Sequence, residues 1–241
     1  MFRKSLKTDL DNDPHFTWRG NNVTRLENLS DIVFALGLGM VVSASITPET
    51  FSDLGTHFLS IFPVAAAFAI LLQLWNAHYV FFRRYGLGDG RTIFLNACLL
   101  LVVLFFAYPL RFVFDGLFGF IYAVLGYPAT ILKMGIGGQQ AAIMVSYFAI
   151  GYGLAFGLIG LMYNNALAHR RVLKLSTNEI IMTKRTIGAN IIRVLCAALV
   201  VGFALLTPLS AFSGFLLFLF FPLRAILKKK YKLQHKDTAQ N

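Results

Sequence analysis

Charge is what this sequence has least of. Only 14% of its 241 residues are Asp, Glu, Lys or Arg, where an ordinary soluble domain has about a quarter. With 57% hydrophobic residues and a mean hydropathy of +0.65, the chain is too apolar for a soluble fold of its length. Acids are the scarcer sign, 11 against 22 Lys and Arg, for a formal charge of +11. In a soluble protein that excess would point to nucleic acid; here it reflects basic residues gathered on one membrane face, and no nucleic-acid partner is expected. There are two cysteines, Cys98 and Cys196, both inside apolar stretches and in no C-x-x-C or metal-ligand pattern, so both read as packing residues. No nucleophile motif or ligand spacing supports a membrane-embedded enzyme. No cofactor is expected, and no metal beyond cations in transit.

What the chain does have is a series of apolar runs of about 20 residues, the length that crosses a bilayer. Six are predicted as transmembrane helices, at roughly 25–46, 57–82, 92–110, 140–163, 187–207 and 209–227. Residues 1–23 lack an apolar core, so no cleavable leader is expected and the first span serves as insertion signal. Lys and Arg crowd the N-terminal flank, the second-to-third connection (Arg83, Arg84, Arg91), the fourth-to-fifth connection (Arg170, Arg171, Lys174, Lys184, Arg185) and the tail. Only Arg111 and Lys133 fall on the opposite side, while Arg193 lies within the fifth span. Both termini are therefore expected in the cytoplasm. The uncharged stretch 116–132 is read as a non-crossing or re-entrant extension of the third span, broken by Gly and Pro. The chain divides into a polar N-terminal segment (1–24), a six-helix membrane domain (25–227) and a basic tail (228–241) that can touch anionic lipid.

The first span opens "TRLENLSDIVFALGLG", with Arg25 and Asp31 at the mouth of an otherwise apolar helix. Charge near lipid is costly and is kept mainly where a partner or a watery site uses it. The two residues are six apart, about 600° of helical rotation, so they do not face one another. The second span runs the other way and closes "LWNAHYVFFRR". Counted inward from Arg25 and Arg83, Ser30, Asp31, Trp75, Asn76 and His78 come to comparable depth, with Asp31 and His78 about 8–9 Å in. Asp31 can accept from Trp75, Asn76 or His78, and such bonds strengthen in a poorly solvated site. A structural polar network is the favoured reading; a proton relay through Asp31 and His78, as in a secondary or proton-coupled transporter, is the alternative. Arg193 either joins this network or snorkels to the headgroups.

"RLENLSD" together with "WNAH" resembles the R-x-x-x-F-S-D signature of the transmembrane protein 175 family, the endolysosomal potassium channels and their shorter prokaryotic relatives. Leu29 stands where the family usually has Phe. The resemblance implies an all-α, multi-pass protein of the cell inner membrane that passes potassium or other monovalent cations. It implies a homotetramer in lipid, with four first helices around a central pore and no re-entrant carbonyl filter. It also implies an apolar constriction beginning five residues after the motif Asp, at Leu36, with Gly39, Met40 and Ser43 following. Those three lie within about 60° of Leu36 around the helix, and Asp31 about 140° away. Relatives tend to repeat Leu or Ile along this face and to carry a hydroxyl residue near Gly39. A second reading of Ala35, Gly39 and Ser43 is a small-residue face for helix packing. Gly151-Tyr152-Gly153 resembles the filter of ordinary potassium channels, but it sits in the middle of a continuous apolar run and reads as close helix packing.

Overall fold

The computed structural model describes residues 16–20, 22–43, 51–126, 138–207 and 210–231, and among them all regular structure is helical. The elements are α1 (Arg25–Ser43), α2 (Phe51–Leu59), α3 (Ile61–Tyr85), α4 (Gly90–Val124), α5 (Gly138–Ala168), α6 (Thr177–Leu206), a 3-10 segment (Ser210–Leu219) and α7 (Phe220–Lys230). Five helical stretches are long and apolar enough to cross a membrane: α1, the 57–85 stretch, α4, α5 and α6. α1 packs on α3 and α4, α4 on α5, α5 on α6, and α7 returns along α6. The core is continuous through Phe34, Leu71, Leu99, Val103, Phe156 and Met162.

Three expectations need correction. The sixth span is not one helix: a 3-10 segment of 10 residues precedes α7. Pro222 falls in the first turn of α7, where its missing N–H has no intrahelical partner to lose, so a new α-helix starts there at little cost. The two pieces have a summed helical rise of roughly 36 Å, but they are not among the five stretches long and apolar enough to cross a membrane. The third span does not stop at 110 but runs unbroken through Pro109 to Val124, so residues 116–124 extend the same helix. It ends where Gly126 takes φ +95°, and 127–132 lie outside the described residues. The second span is entered through a separate short helix, α2, which the periodicity did not reveal. A bend at Ser60 follows, where both Ser60 N and Oγ donate to His57 O.

Glycine sets the α5 interfaces. A Cβ on Gly151 would come within 2.2 Å of the Phe106 ring, one on Gly153 within 3.0 Å of Ala197, and one on Gly160 within 3.2 Å of Asn190. The Gly-Tyr-Gly run is thus helical and serves close approach to α4 and α6.

Residues 16–20 of the polar N-terminal segment are built into the base of the bundle. Thr17 N donates to Glu179 Oε1, and Arg19 holds both oxygens of Glu179 at 2.8 and 2.9 Å. Arg19 N and Gly20 N both donate to Arg83 O, and Phe16 is buried edge-on to Tyr85. Gly20 is obligatory here, since a Cβ would fall 2.3 Å from Phe82 O. Gly86, which closes α3 with φ +57°, lies against the same backbone.

Candidate functional site

The opening of α1 is fixed before its apolar part begins. Thr24 and Glu27 form a reciprocal cap: Thr24 N donates to Glu27 Oε1 at 2.9 Å, and Glu27 N to Thr24 Oγ1 at 3.2 Å. The other Glu27 oxygen lies 3.7 Å from Arg83 Nη2, tying the start of α1 to the end of α3. Thr-x-x-Glu is a helix-start signal legible in the sequence, and it was not used there.

One turn further, a buried chain of hydrogen bonds crosses three helices. Ser30 Oγ donates to Leu26 O at 2.8 Å and accepts from Asn96 Nδ2 at 2.9 Å. Asn96 Oδ1 lies 2.9 Å from His78 Nε2. Because the Asn96 amide nitrogen is committed to Ser30, its oxygen faces the imidazole, and His78 Nε2 must be the donor. His78 packs against the rings of Phe34 and Phe82. Every member of this chain is almost wholly buried, where a satisfied network fixes one arrangement of the helices.

Asp31 is held separately. Trp75 Nε1 donates to its Oδ1 at 2.8 Å, and Trp75 stacks on Tyr79, over which Arg83 lies 5.3 Å from the ring centre. Ser30, Asp31, Trp75 and His78 thus gather at the α1–α3–α4 contact, in two groups rather than one. Asp31 engages Trp75, while His78 engages Asn96. Asn76 and Arg25 are exposed, with no bond to the network among the described residues. Asn96 and Glu27 are the members that sequence reasoning missed. Asn96 lies seven residues into α4, and no spacing rule links it to Ser30.

The other side of α1 is bare. Glu27, Ser30, Phe34, Gly37 and Val41 form its buried face, whereas Leu29, Ile32 and Leu36 are exposed, Leu36 by 56%. Gly39 has nothing within 4 Å of a would-be Cβ. Ser43 is exposed with its hydroxyl donating to Met40 O at 3.2 Å, and Met40 is half-buried against the core. Leu36, Gly39 and Ser43 therefore share the outward face, and Met40 sits at its edge.

Arg193 is far from both groups. Its guanidinium lies between the rings of Phe156 and Phe220, 4.4 and 4.2 Å from their centres, and Nη1 donates to Asn190 Oδ1 at 2.9 Å.

Residues 25–106, which carry both motifs and the whole polar chain, match the family described as "Endosomal/lysosomal potassium channel TMEM175". A protein named "Potassium channel" from Marivirga tractuosa is 35% identical over 240 residues, covering 93% of this chain and 94% of that one. A solved structure of a variant of the potassium channel MtTMEM175, in complex with a Nanobody-MBP fusion protein, superposes with TM-score 0.81 at 33% identity. It covers 91% of this chain and 97% of the other. With the signature seated at the α1–α3–α4 contact and relatives this similar over nearly its full length, the chain belongs to the TMEM175 family of potassium channels.

Proposed function

We propose that this protein is a subunit of a potassium-conducting channel of the inner membrane, with both termini in the cytoplasm and four copies surrounding a pore lined by α1. The observation that carries the reading is the two-sidedness of α1. One face is locked to α3 and α4 by Glu27, Ser30 and Asp31; the opposite face, through Ile32, Leu36, Gly39 and Ser43, is left uncovered by the described residues. A helix anchored through polar bonds on one side can offer an apolar wall on the other without losing its register. Leu36 is the constriction, passing ions when the ring of four side chains widens enough to wet. Ser30, Asp31, Trp75 and His78 serve structure rather than permeation, while Arg25 and Asn76 are exposed and make no bond to them among the described residues.

Orientation is supported by the company the basic residues keep. Arg19, Arg83 and the connection from Leu173 to Glu179 meet at one end of the bundle, and basic ends face the cytoplasm. The membrane domain spans 25–227, although residues 16–20 belong to its base. The transporter reading required Asp31 and His78 to act together; each has a different partner, and the relatives named above are channels.

The test is electrical. Purified protein in planar bilayers is expected to give ohmic single-channel currents, with reversal potentials in asymmetric potassium and sodium that follow potassium. Leu36→Ala is expected to raise basal current. Flux that saturates and requires a proton gradient would reject the channel reading, and an unchanged current in the variant would reject Leu36 as the gate.

A further inference from the structure

Arg193 stands out as a cation in the apolar part of α6 that meets the Tyr152 hydroxyl and Asn190 but no carboxylate among the described residues. The ion pairs among the described residues join Arg19 to Glu179, Arg83 to Glu27 and Arg111 to Asp115; none involves α7 or the inner part of α6. Instead a second guanidinium, Arg224 on α7, lies over the same Phe220 ring at 5.8 Å. Two positive charges thus share one aromatic ring, and the next turn of α7 adds Lys228, Lys229 and Lys230. Ionisable groups at membrane depth ordinarily pair with a countercharge or face water.

The geometry shows where the missing negative charge belongs. Arg193 is eight residues, about 12 Å, inward from Arg185. Its side chain leans back toward the basic end, donating to Asn190 one turn earlier. The two helices are seated closely, with Gly188 of α6 receiving the Leu227 side chain at 3.0 Å from a would-be Cβ. Arg185 is bonded to Tyr231 O at the foot of the seam. Arg224 is exposed and Arg193 half-exposed, so both can be reached from outside the bundle on its basic side. Arginine prefers phosphate because its planar fork meets two oxygens at once, and basic pockets between helices on this side are suited to anionic headgroups.

We infer that the α6–α7 seam, through Arg193 and Arg224, is a binding site for the phosphate headgroup of an anionic phospholipid. The Phe156 and Phe220 rings hold the Arg193 guanidinium between them, and Lys228 deepens the field around the bound phosphate. No covalent step is involved, and the site does not depend on where the ion path runs.

The experiment titrates short-chain phosphatidylglycerol, and phosphatidylcholine in parallel, into the purified full-length protein in neutral detergent, and follows the thermal unfolding midpoint. Phosphatidylglycerol is expected to raise the midpoint saturably and phosphatidylcholine not to. Arg224→Gln and Arg193→Gln are each expected to weaken apparent affinity about tenfold, the worth of one charge-assisted bond. Arg193→Lys, which keeps the charge but loses the fork, is expected to fall between. Arg170→Gln, in an exposed connection on the same basic end, is expected to leave the titration unchanged. If Arg193→Gln does not fold, Arg224→Gln and Arg193→Lys decide the matter. Equal loss in Arg170→Gln, or none in the seam variants, would reduce the effect to diffuse attraction and overturn the site. Inorganic phosphate reproducing the shift would overturn the lipid as its occupant.

Discussion

Ser30, Asn96 and His78 show how much one buried amide can decide. Asn96 is the hinge of the chain: its nitrogen serves α1 through Ser30 and its oxygen serves α3 through His78. Replacing it by Ala strands the imidazole N–H and leaves Ser30 one donor short, at a cost of about 1–3 kcal/mol for each unpaired buried group. Asn96→Ala is therefore expected to lower the thermal midpoint markedly, while Asn76→Ala, at an exposed position of α3, is expected to change stability by no more than about 0.5 kcal/mol. The sequence singled out Arg25, Ser30, Asp31, Trp75, Asn76 and His78; Ser30, Asp31, Trp75 and His78 lie at the α1–α3–α4 contact, and Arg25 and Asn76 are exposed. It did not reveal who pairs with whom. The link runs through a third helix, and an Asn inside an apolar run gives no hint of which way it faces. Asp89, in the α3–α4 connection, offers a second residue-level test. Burial alone would raise its pKa, but the hydrogen bonds from Thr92 and Asn165 outweigh it and hold the carboxyl below the ordinary 3.8. A depressed carboxyl stabilises the fold above its unfolded value and loses that contribution as pH falls through the folded value. Asp89→Asn is expected to cost under about 1 kcal/mol at neutral pH, since the group is partly solvated. The deficit, read from unfolding midpoints, is expected to shrink as the pH drops below about 4.

Among the elements, length and hydropathy located the apolar runs of α1 and α3 to α6 but not all their ends: α4 continues past 110 to Val124, and α6 begins at Thr177, ten residues before the predicted span. They failed where the backbone, not the side chains, decides. Pro109 does not end α4, whereas α7 begins only two residues before Pro222; residue type and apolar surroundings alone do not tell the two apart. The glycines of α5 carry a prediction of their own. Gly151 has no room for a methyl group against Phe106, whereas Gly39 on α1 has open space. Gly151→Ala is expected to destabilise by about 1–3 kcal/mol through overpacking, read as a lowered thermal midpoint with a correspondingly smaller yield of folded protein. Gly39→Ala is expected to leave the monomer fold intact and to register in conductance instead. If Gly39→Ala unfolds the protein while Gly151→Ala does not, the assignment of one helix to packing and the other to the pore is reversed.

At the scale of the whole molecule, many apolar side chains are exposed, as suits helices long and apolar enough to cross a membrane. Exposure alone therefore does not distinguish Leu36 from Phe105, which is 76% exposed on α4. What separates them is that the outward face of α1 lies opposite a hydrogen-bonded anchor and, in a fourfold assembly, would meet water and its own copies rather than acyl chains. Water-soluble thiol reagents turn that difference into a measurement. Both native cysteines lie in membrane helices, Cys196 buried and Cys98 half-buried, so an unsubstituted background is expected to be little affected. In Leu36→Cys channels, a charged methanethiosulfonate reagent is expected to reach the introduced thiol when the pore conducts and to reduce potassium current, faster when the channel is open. In Phe105→Cys channels the same reagent is expected to do nothing, because a thiol in hydrocarbon stays protonated and the charged reagent does not enter. Protection of Leu36→Cys with modification of Phe105→Cys would place the water on the other side of the protomer and remove α1 from the axis.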